Sequence, residues 1–374
     1  MGVHDISHKS TGNEKRVIIA GGGTGGHLFP GIAIASELEK RCDDLCLLFI
    51  VGRKKMEREI IVKAGFKVRA IDVEGMMGKG TGGAIRALGK TLVSSFQSFS
   101  IVRGFKPHLV VGVGGYSSGP VCLVAWILGI PSALHEQNSF PGLTNRILAP
   151  LAKRIFISFE ESRKYLRKGN LLLTGNPIRD DLVGLKQPFR AENQAFVVLV
   201  MGGSQGARAI NRAVVSALIE LKAAGPVPFV IHQTGKDDLE KVIEDYRTLG
   251  LHGEVTPFID DMASAYARAD LVICRAGATT IAELAALGKP SILIPYPHAA
   301  HRHQDINARS LVNAGGAEMI LERDLTGTRL AGTITRYMGD KEALKRMSSL
   351  ALKVGRPKAK EIIAQQLIEL MSEN

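Results

Sequence analysis

Residues 21–30 read GGGTGGHLFP and directly follow the apolar run KRVIIA. Gly21, Gly23 and Gly26 satisfy G-x-G-x-x-G, the spacing that lets backbone approach a pyrophosphate at a helix N-terminus. Three more stretches have the same chemistry: GVGGYSSGP (112–120), GGSQGAR (202–208) and RAGATT (275–280). One such loop is more often a tight turn than a ligand site. Four of them, two in each half of the chain, suit two anionic ligands. His27 ends the first loop, where an imidazole can share a proton, bond a diphosphate or simply cap the helix. His298, His301 and His303 cluster in one loop without partnering acids or cysteines, and no D-x-D occurs. Neither a metal nor a cofactor is expected.

These loops must be held by strands and helices, and the pattern supplies them. Apolar runs alternate with helical periodicities throughout, which predicts parallel sheets covered by helices. The strands of the first half are RVIIA, LCLLFIV, KVRAIDV, HLVVGVG, PSALHE and RIFISF. Those of the second are AFVVLVMG, PFVIHQTG, GEVTPFI, LVICRAG, PSILIPYP and GAEMIL. LLLTGNPIRDDLVGLKQPFR, punctuated by Gly and Pro, reads as the linker between them. Because each half carries strand, glycine loop and helix, the fold class is α/β with two Rossmann-like parallel-sheet domains facing a central cleft. Ligands then lie beyond the carboxyl ends of the strands. The domains are expected at 15–176, joined by a closing helix over 357–374, and at 177–356.

A dinucleotide enzyme also fits the first loop, but needs an acid near the end of the second strand. LCLLFIV ends instead in GRKK, and Asp43 and Asp44 precede the strand. Arg53 could answer a 2′-phosphate, so an NADP-dependent oxidoreductase stays as the alternative of another class.

The net charge of +12 asks for an anionic partner. No nucleic-acid recognition motif is present and aromatics make up 5% of the chain, so no nucleic acid is expected. No segment has the roughly 18 uninterrupted apolar residues of a membrane span, and MGVHDISHKSTGNEKR lacks the apolar core of a signal peptide. Four cysteines without paired spacing point to the cytoplasm. In GAIRALGKTLVSSFQSFSIVRGFK, the residues Ile85, Leu88, Leu92, Phe96 and Phe99 form one helical stripe flanked by Arg86, Lys90, Arg103 and Lys106. Such a helix can lie on an anionic membrane surface or face a core.

The ordered motifs GGGTGGHLFPG, GGYSSGP, HEQNSFPG, GNPIR, GGSQGAR and FIDDMASAYARADLVICRAGATTIAELAALGKPSILIPYP resemble the MurG family of bacterial peptidoglycan N-acetylglucosaminyltransferases. The similarity runs from about residue 15 to near the C-terminus. It implies a GT-B glycosyltransferase that moves N-acetylglucosamine from UDP-GlcNAc to the muramic acid 4-hydroxyl of lipid I. The product is lipid II, formed with inversion. Another GT-B enzyme using UDP-GlcNAc, such as an epimerase, is the nearer alternative. The undecaprenyl-diphosphate-linked acceptor implies work at the cytoplasmic face of the membrane, as a peripheral protein, with other cell-wall synthesis proteins as further partners.

Carried over residue by residue, the resemblance puts Thr24, Gly25, Gly26, Asn138, Arg179, Ser204, Gln205, Ile259, Glu283 and Gln304 at the UDP-GlcNAc donor. It puts His27, Tyr116, Ser117 and His135 at the acceptor. His27 and Glu136 are both proton-acceptor candidates, and sequence does not choose between them. Each has a plain structural alternative: a cap for His27, packing under the turn for Tyr116, a hydrogen-bonded turn for HEQN, and a helix-dipole acid for Glu283. Family members often place a glutamine before the one at Gln304, whereas this chain has His303.

Overall fold

The computed structural model describes residues 14–23, 25–73, 81–166, 169–185, 195–203 and 205–373, without the side chains of 81–92. Two compact units result. The first takes the described residues up to Gln137, Pro141–Thr174 and the chain from Lys358; the second takes Asn138–Phe140 and Gly175–Pro357.

The first unit begins β1 (Lys15–Ala20), α1 (Gly25–Arg41), β2 (Leu45–Val51), α2 (Lys55–Lys63) and β3 (Lys67–Ala70). It continues through α3 (Thr81–Phe105), β4 (Leu109–Gly112), α4 (Ser118–Ile127), β5 (Ser132–Glu136), α5 (Leu143–Leu148), β6 (Arg154–Ile157) and β7 (Leu171–Leu173). All pairings are parallel, in the order β3-β2-β1-β4-β5-β6-β7. Val17 and Ile19 of β1 pack with Ile34 and Leu38 of α1, while Ile18 packs with Val121 and Val124 of α4 on the other face. A strand covered on both sides must read as continuous apolar sequence, which is what RVIIA does.

The second unit runs β8 (Val197–Met201), α6 (Arg208–Ala224), β9 (Phe229–Gln233), α7 (Leu239–Thr248), β10 (Gly253–Thr256), α8 (Met262–Arg268) and β11 (Leu271–Cys274). Then come α9 (Ala278–Leu287), β12 (Ser291–Leu293), α10 (His303–Asn313), β13 (Glu318–Met319), α11 (Gly327–Gly339) and α12 (Lys341–Val354). Its sheet is also parallel, in the order β10-β9-β8-β11-β12-β13. Val198 and Val200 pack on Ile210 and Val214 of α6.

The last helix, α13 (Ala359–Ser372), returns to the first unit. Ile363, Ala364, Leu367, Leu370 and Met371 join its core. Arg154, at the head of β6, holds α13 through the Gln366 carbonyl at 2.9 Å and Glu369 at 3.1 Å.

One assignment changes. LLL, read as the start of a linker, is edge strand β7, paired with β6 as Ile155↔Leu171 and Ile157↔Leu173. Three half-buried leucines carry no β-branched signal, so only the register of the sheet makes them a strand. In both sheets the strand order reverses beside the first strand, between β1 and β4 and between β8 and β11. The four glycine loops follow those four strands. Each unit therefore presents one pair of loops at a topological switch point, where open parallel sheets bind ligands.

Candidate functional site

In the first unit the two glycine loops interlock. Gly22 N–H donates to the Gly114 carbonyl at 3.3 Å. Gly115 has φ +80°, and a Cβ there would lie 2.0 Å from the Gly22 carbonyl oxygen. No other residue fits that approach. The Gly21 and Gly23 amides are also engaged, with the Ile50 carbonyl at 3.1 Å and the Glu57 carboxylate at 3.0 Å. Lys54 Nζ reaches the Gly23 carbonyl at 3.0 Å. Glycines 21–23 thus shape the loop, and the amides left for an anion are those opening α1, at Gly25 and Gly26. Thr24 lies outside the described residues. Glu57 was invisible to motif reading because it comes from α2, far along the chain.

His27 is half-buried in the first turn of α1, with Nδ1 2.9 Å from Gln137 Oε1. Its Nε2 has no partner among the described residues. Tyr116 is 48% exposed, so it does not pack under its turn. Ser117 is buried, its Oγ without a hydrogen-bond partner among the described residues.

HEQN divides by residue. His135 is fully buried, with Gln137 Nε2 2.9 Å from Nδ1 and Ser158 Oγ 3.5 Å from Nε2, so direct contact with an acceptor is closed to it here. Glu136 is 1% exposed and accepts from the Gly142 amide at 3.0 Å and Asn145 Nδ2 at 2.9 Å. That carboxylate holds the turn after β5. Asn138 clusters with the second unit, where its Oδ1 accepts from Asn307 Nδ2 at 3.2 Å; Asn307 Oδ1 in turn takes the Ser139 amide at 2.8 Å.

In the second unit Gly206 matches Gly115. Its φ is +76° and a Cβ would meet the Thr234 carbonyl oxygen at 1.9 Å. Gln205 is exposed on this loop, and Ser204 lies outside the described residues. Gln233 ties the loop to the next one, donating to the Gly203 carbonyl at 2.8 Å and accepting from the Ile259 amide at 3.0 Å. Gln233 thus engages the Ile259 N–H and not its carbonyl. Ile259 also borders a cavity of about 250 Å³ with Thr256, Phe258 and Arg268.

Glu283, in the second turn of α9, has a side chain 15% exposed and lies 3.4 Å from Arg179 Nε. Its other oxygen accepts from the fully buried Tyr266 hydroxyl at 2.9 Å. Burial raises the Glu283 carboxyl above the usual carboxylate range, and the Arg179 charge and the Tyr266 hydrogen bond oppose that rise. Arg179 and Glu283, distant in sequence, therefore act together, and Tyr266 is the partner that motif reading missed. Gln304 Oε1 accepts from the Tyr296 amide at 2.9 Å, which leaves its NH2 available.

The altered loop 298–303 is held by its own contacts. His301 and Arg302 adopt φ of 51° and 53°, the His301 ring lies 4.8 Å from that of Phe140, and His303 Nδ1 sits 2.8 Å from the Ala300 carbonyl. Among the described residues no three His, Cys, Asp or Glu side chains converge as a metal site. Arg53 pairs with Asp72 at 2.5 Å, so its charge is already answered without a 2′-phosphate.

Beneath the second-unit loops His232 is buried between Tyr246 Oη and Asn211 Oδ1, each at 3.2 Å. Burial pushes its imidazole down to about 4 from 6.5. The unfolded chain therefore takes up a proton that the folded one refuses, so stability is full above the unfolded value and falls as pH drops from about 6.5 towards 4. Between pH 7 and pH 5 this costs about 2 kcal/mol. Urea unfolding at the two pH values should show that loss in the wild type and a smaller one in His232→Gln; equal losses would exclude His232 as the source.

On α3 the described side chains split the proposed stripe. Phe99 packs against the core, whereas Phe96 is 77% exposed. Ile85, Leu88 and Leu92 fall outside the described side chains. Helix α4, packed between α3 and α5, adds exposed Leu123, Trp126 and Ile127, and α5 adds Leu143 and Ile147. Periodicity could not find the α4 residues, because that helix is apolar all round. Exposed Arg103, Lys106 and Arg146 lie on the same helices or directly after them. No helix among the described residues is long and apolar enough to cross a membrane.

Residues 17–157 match the glycosyltransferase family 28 N-terminal domain and residues 197–366 match the family 28 C-terminal domain. The UDP-N-acetylglucosamine–N-acetylmuramyl-(pentapeptide) pyrophosphoryl-undecaprenol N-acetylglucosamine transferase of Myxococcus xanthus (strain DK1622) is 46% identical over 356 residues, 95% of this chain and 93% of the relative. The protein of the same name from Geobacter metallireducens is 44% identical, over 94% of this chain and 98% of its own. A crystal structure of Acinetobacter baumannii MurG aligns with TM-score 0.79 at 29% identity, covering 95% of this chain and 99% of that one. UDP-GlcNAc 2-epimerase from Neisseria meningitidis, solved with UDP-GlcNAc, shares the fold at 15% identity, with TM-score 0.67 over 96% of this chain and 100% of its own.

Proposed function

Because the chain belongs to glycosyltransferase family 28, we infer that its reaction is the one its curated relatives are named for. It transfers N-acetylglucosamine from UDP-N-acetylglucosamine to the N-acetylmuramyl-(pentapeptide) pyrophosphoryl-undecaprenol acceptor, a step of peptidoglycan synthesis. The observation that carries this is 46% identity over 95% of the chain. Transfer of labelled sugar to a lipid I analogue tests it, and label that reaches no lipid overturns it.

The residues divide the chemistry by unit. In the second, the amides that open α6, Gln205, the Ile259 carbonyl, the Arg179–Glu283 pair and Gln304 bind the donor: Glu283 takes the ribose hydroxyls and Gln304 reads the sugar. Arg179, with its fixed charge, and the loop amides stabilise the diphosphate as it leaves. In the first, the Gly25 and Gly26 amides that open α1 serve the donor, and the α4 N-terminus with Ser117 and Tyr116 receives the acceptor diphosphate. The acceptor 4-hydroxyl oxygen attacks the anomeric carbon from the face opposite UDP. The bond from that carbon to the phosphate oxygen breaks, UDP departs with the electron pair, and the hydroxyl proton passes to His27 Nε2. Inversion follows from this single displacement.

The protein sits peripherally on the cytoplasmic face of the membrane, on the surface made by Phe96, Leu123, Trp126, Ile127 and Ile147 with Arg103, Lys106 and Arg146. Support comes from the exposure of these side chains, the net charge of +12 and the lipid-linked acceptor of the relatives. Trp126 is the only tryptophan, so its emission reports directly on this surface. Vesicles containing anionic phospholipid should shift it to the blue. Phe96→Glu combined with Ile127→Glu should weaken partitioning by at least about tenfold, since each large apolar side chain buried is worth about 1.5–3 kcal/mol. Unchanged emission and partitioning would move the docking surface elsewhere.

A further inference from the structure

Gln137 lies between two histidines, and its hydrogen bonds can be ordered from one fixed point. The Val113 carbonyl oxygen can only accept. Gln137 Nε2 lies 2.9 Å from it, so the nitrogen end of the carboxamide must face Val113. The second hydrogen on that nitrogen goes to His135 Nδ1, also at 2.9 Å. That ring nitrogen is therefore an acceptor and His135 carries its proton on Nε2, facing Ser158 Oγ at 3.5 Å. The oxygen end of the carboxamide lies 2.9 Å from His27 Nδ1. An amide oxygen only accepts, so His27 Nδ1 must bear the hydrogen.

We infer that Gln137 is a positioning residue: anchored by the Val113 carbonyl, it holds neutral His27 as the Nδ1–H tautomer and keeps Nε2 unprotonated. A base needs its lone pair on the nitrogen that substrate can reach, and Nε2 is the His27 nitrogen without a protein partner among the described residues. Buried His135 keeps the carboxamide in place from the other side, which gives that histidine a role without substrate contact. The consequence for turnover rests on the proton-acceptor reading of His27; the tautomer does not.

Long-range 1H–15N correlation spectra of the full chain, above the pH at which its histidines titrate, read both rings. His27→Gln and His135→Gln assign the signals. His27 should show a pyrrole-like Nδ1 and a pyridine-like Nε2, and His135 the reverse. Gln137→Met removes the hydrogen bonds at nearly the same volume. It should leave His27 as a mixture of tautomers and lower kcat about tenfold to a hundredfold, part of a general-base contribution, with the KM for UDP-GlcNAc nearly unchanged. Gln137→Glu keeps an acceptor for Nδ1–H but loses the hydrogens given to Val113 and His135, so it should fall short of the wild-type kcat. A protonated Nε2 on His27 in the wild type overturns the inference, as does a Gln137→Met protein with wild-type tautomer and turnover. If Gln137→Met does not fold, the wild-type spectrum alone decides. Should His27→Gln remain fully active while the tautomers are as stated, the proton-acceptor reading falls and the role of Gln137 in setting the tautomer stands.

Discussion

His27→Ala lowers kcat by about two to four orders of magnitude, the usual contribution of a positioned general base. The KM for UDP-GlcNAc changes little, because Glu283 and Gln304, proposed to hold the ribose and the sugar, belong to the other unit. The expectation follows from accessibility rather than from residue type. Glu136 has the right chemistry, but its carboxylate is buried and holds the Gly142 amide and Asn145. His27 is half-buried, with one ring nitrogen tied to Gln137 and the other unpartnered among the described residues. Steady-state kinetics on variants at both positions separates the two. Glu136→Gln should lose stability before turnover, seen as a lower melting temperature. Full activity in His27→Ala removes histidine from proton transfer.

Glu283→Ala raises the dissociation constant for UDP about a hundredfold, as expected when two hydrogen bonds to a charged acceptor are lost. The same substitution strands the Tyr266 hydroxyl in the core and frees Arg179 from its ion contact. Some loss of melting temperature is therefore expected and does not test the binding role. Glu283→Gln keeps an acceptor for Tyr266 while removing the charge, so it should fold like the wild type yet bind UDP weakly. Calorimetric titration of both variants reads the difference. Wild-type affinity in Glu283→Gln would return Glu283 to a purely structural position.

The strands, the two parallel sheets and the four glycine loops were legible because each depends on a few neighbouring residues. Strand, glycines and helix follow one another within about 25 residues, and the same local grammar appears in each half. Side chains that complete the site from afar were not legible. Glu57, Gln233 and Tyr266 reach their partners from other elements, and nothing in their own neighbourhoods marks them. The loop at 21–23 shows the limit clearly: its glycines suggested free amides, but the fold spends those amides on Ile50, Gly114 and Glu57. Phe96 and Phe99 show it differently. They lie three residues apart on one helix, yet one faces solvent and the other the core, because α4 covers only part of α3.

The return of α13 to the first sheet has a consequence for synthesis. Residues 175–357, most of the second unit, leave the ribosome as one contiguous stretch, whereas the first unit waits for Ile363, Leu367 and Leu370 and for the grip of Arg154 on Gln366 and Glu369. The half made first is therefore completed last. Until α13 is made, the face of the first unit that packs against Ile363, Leu367 and Leu370 lacks its cover.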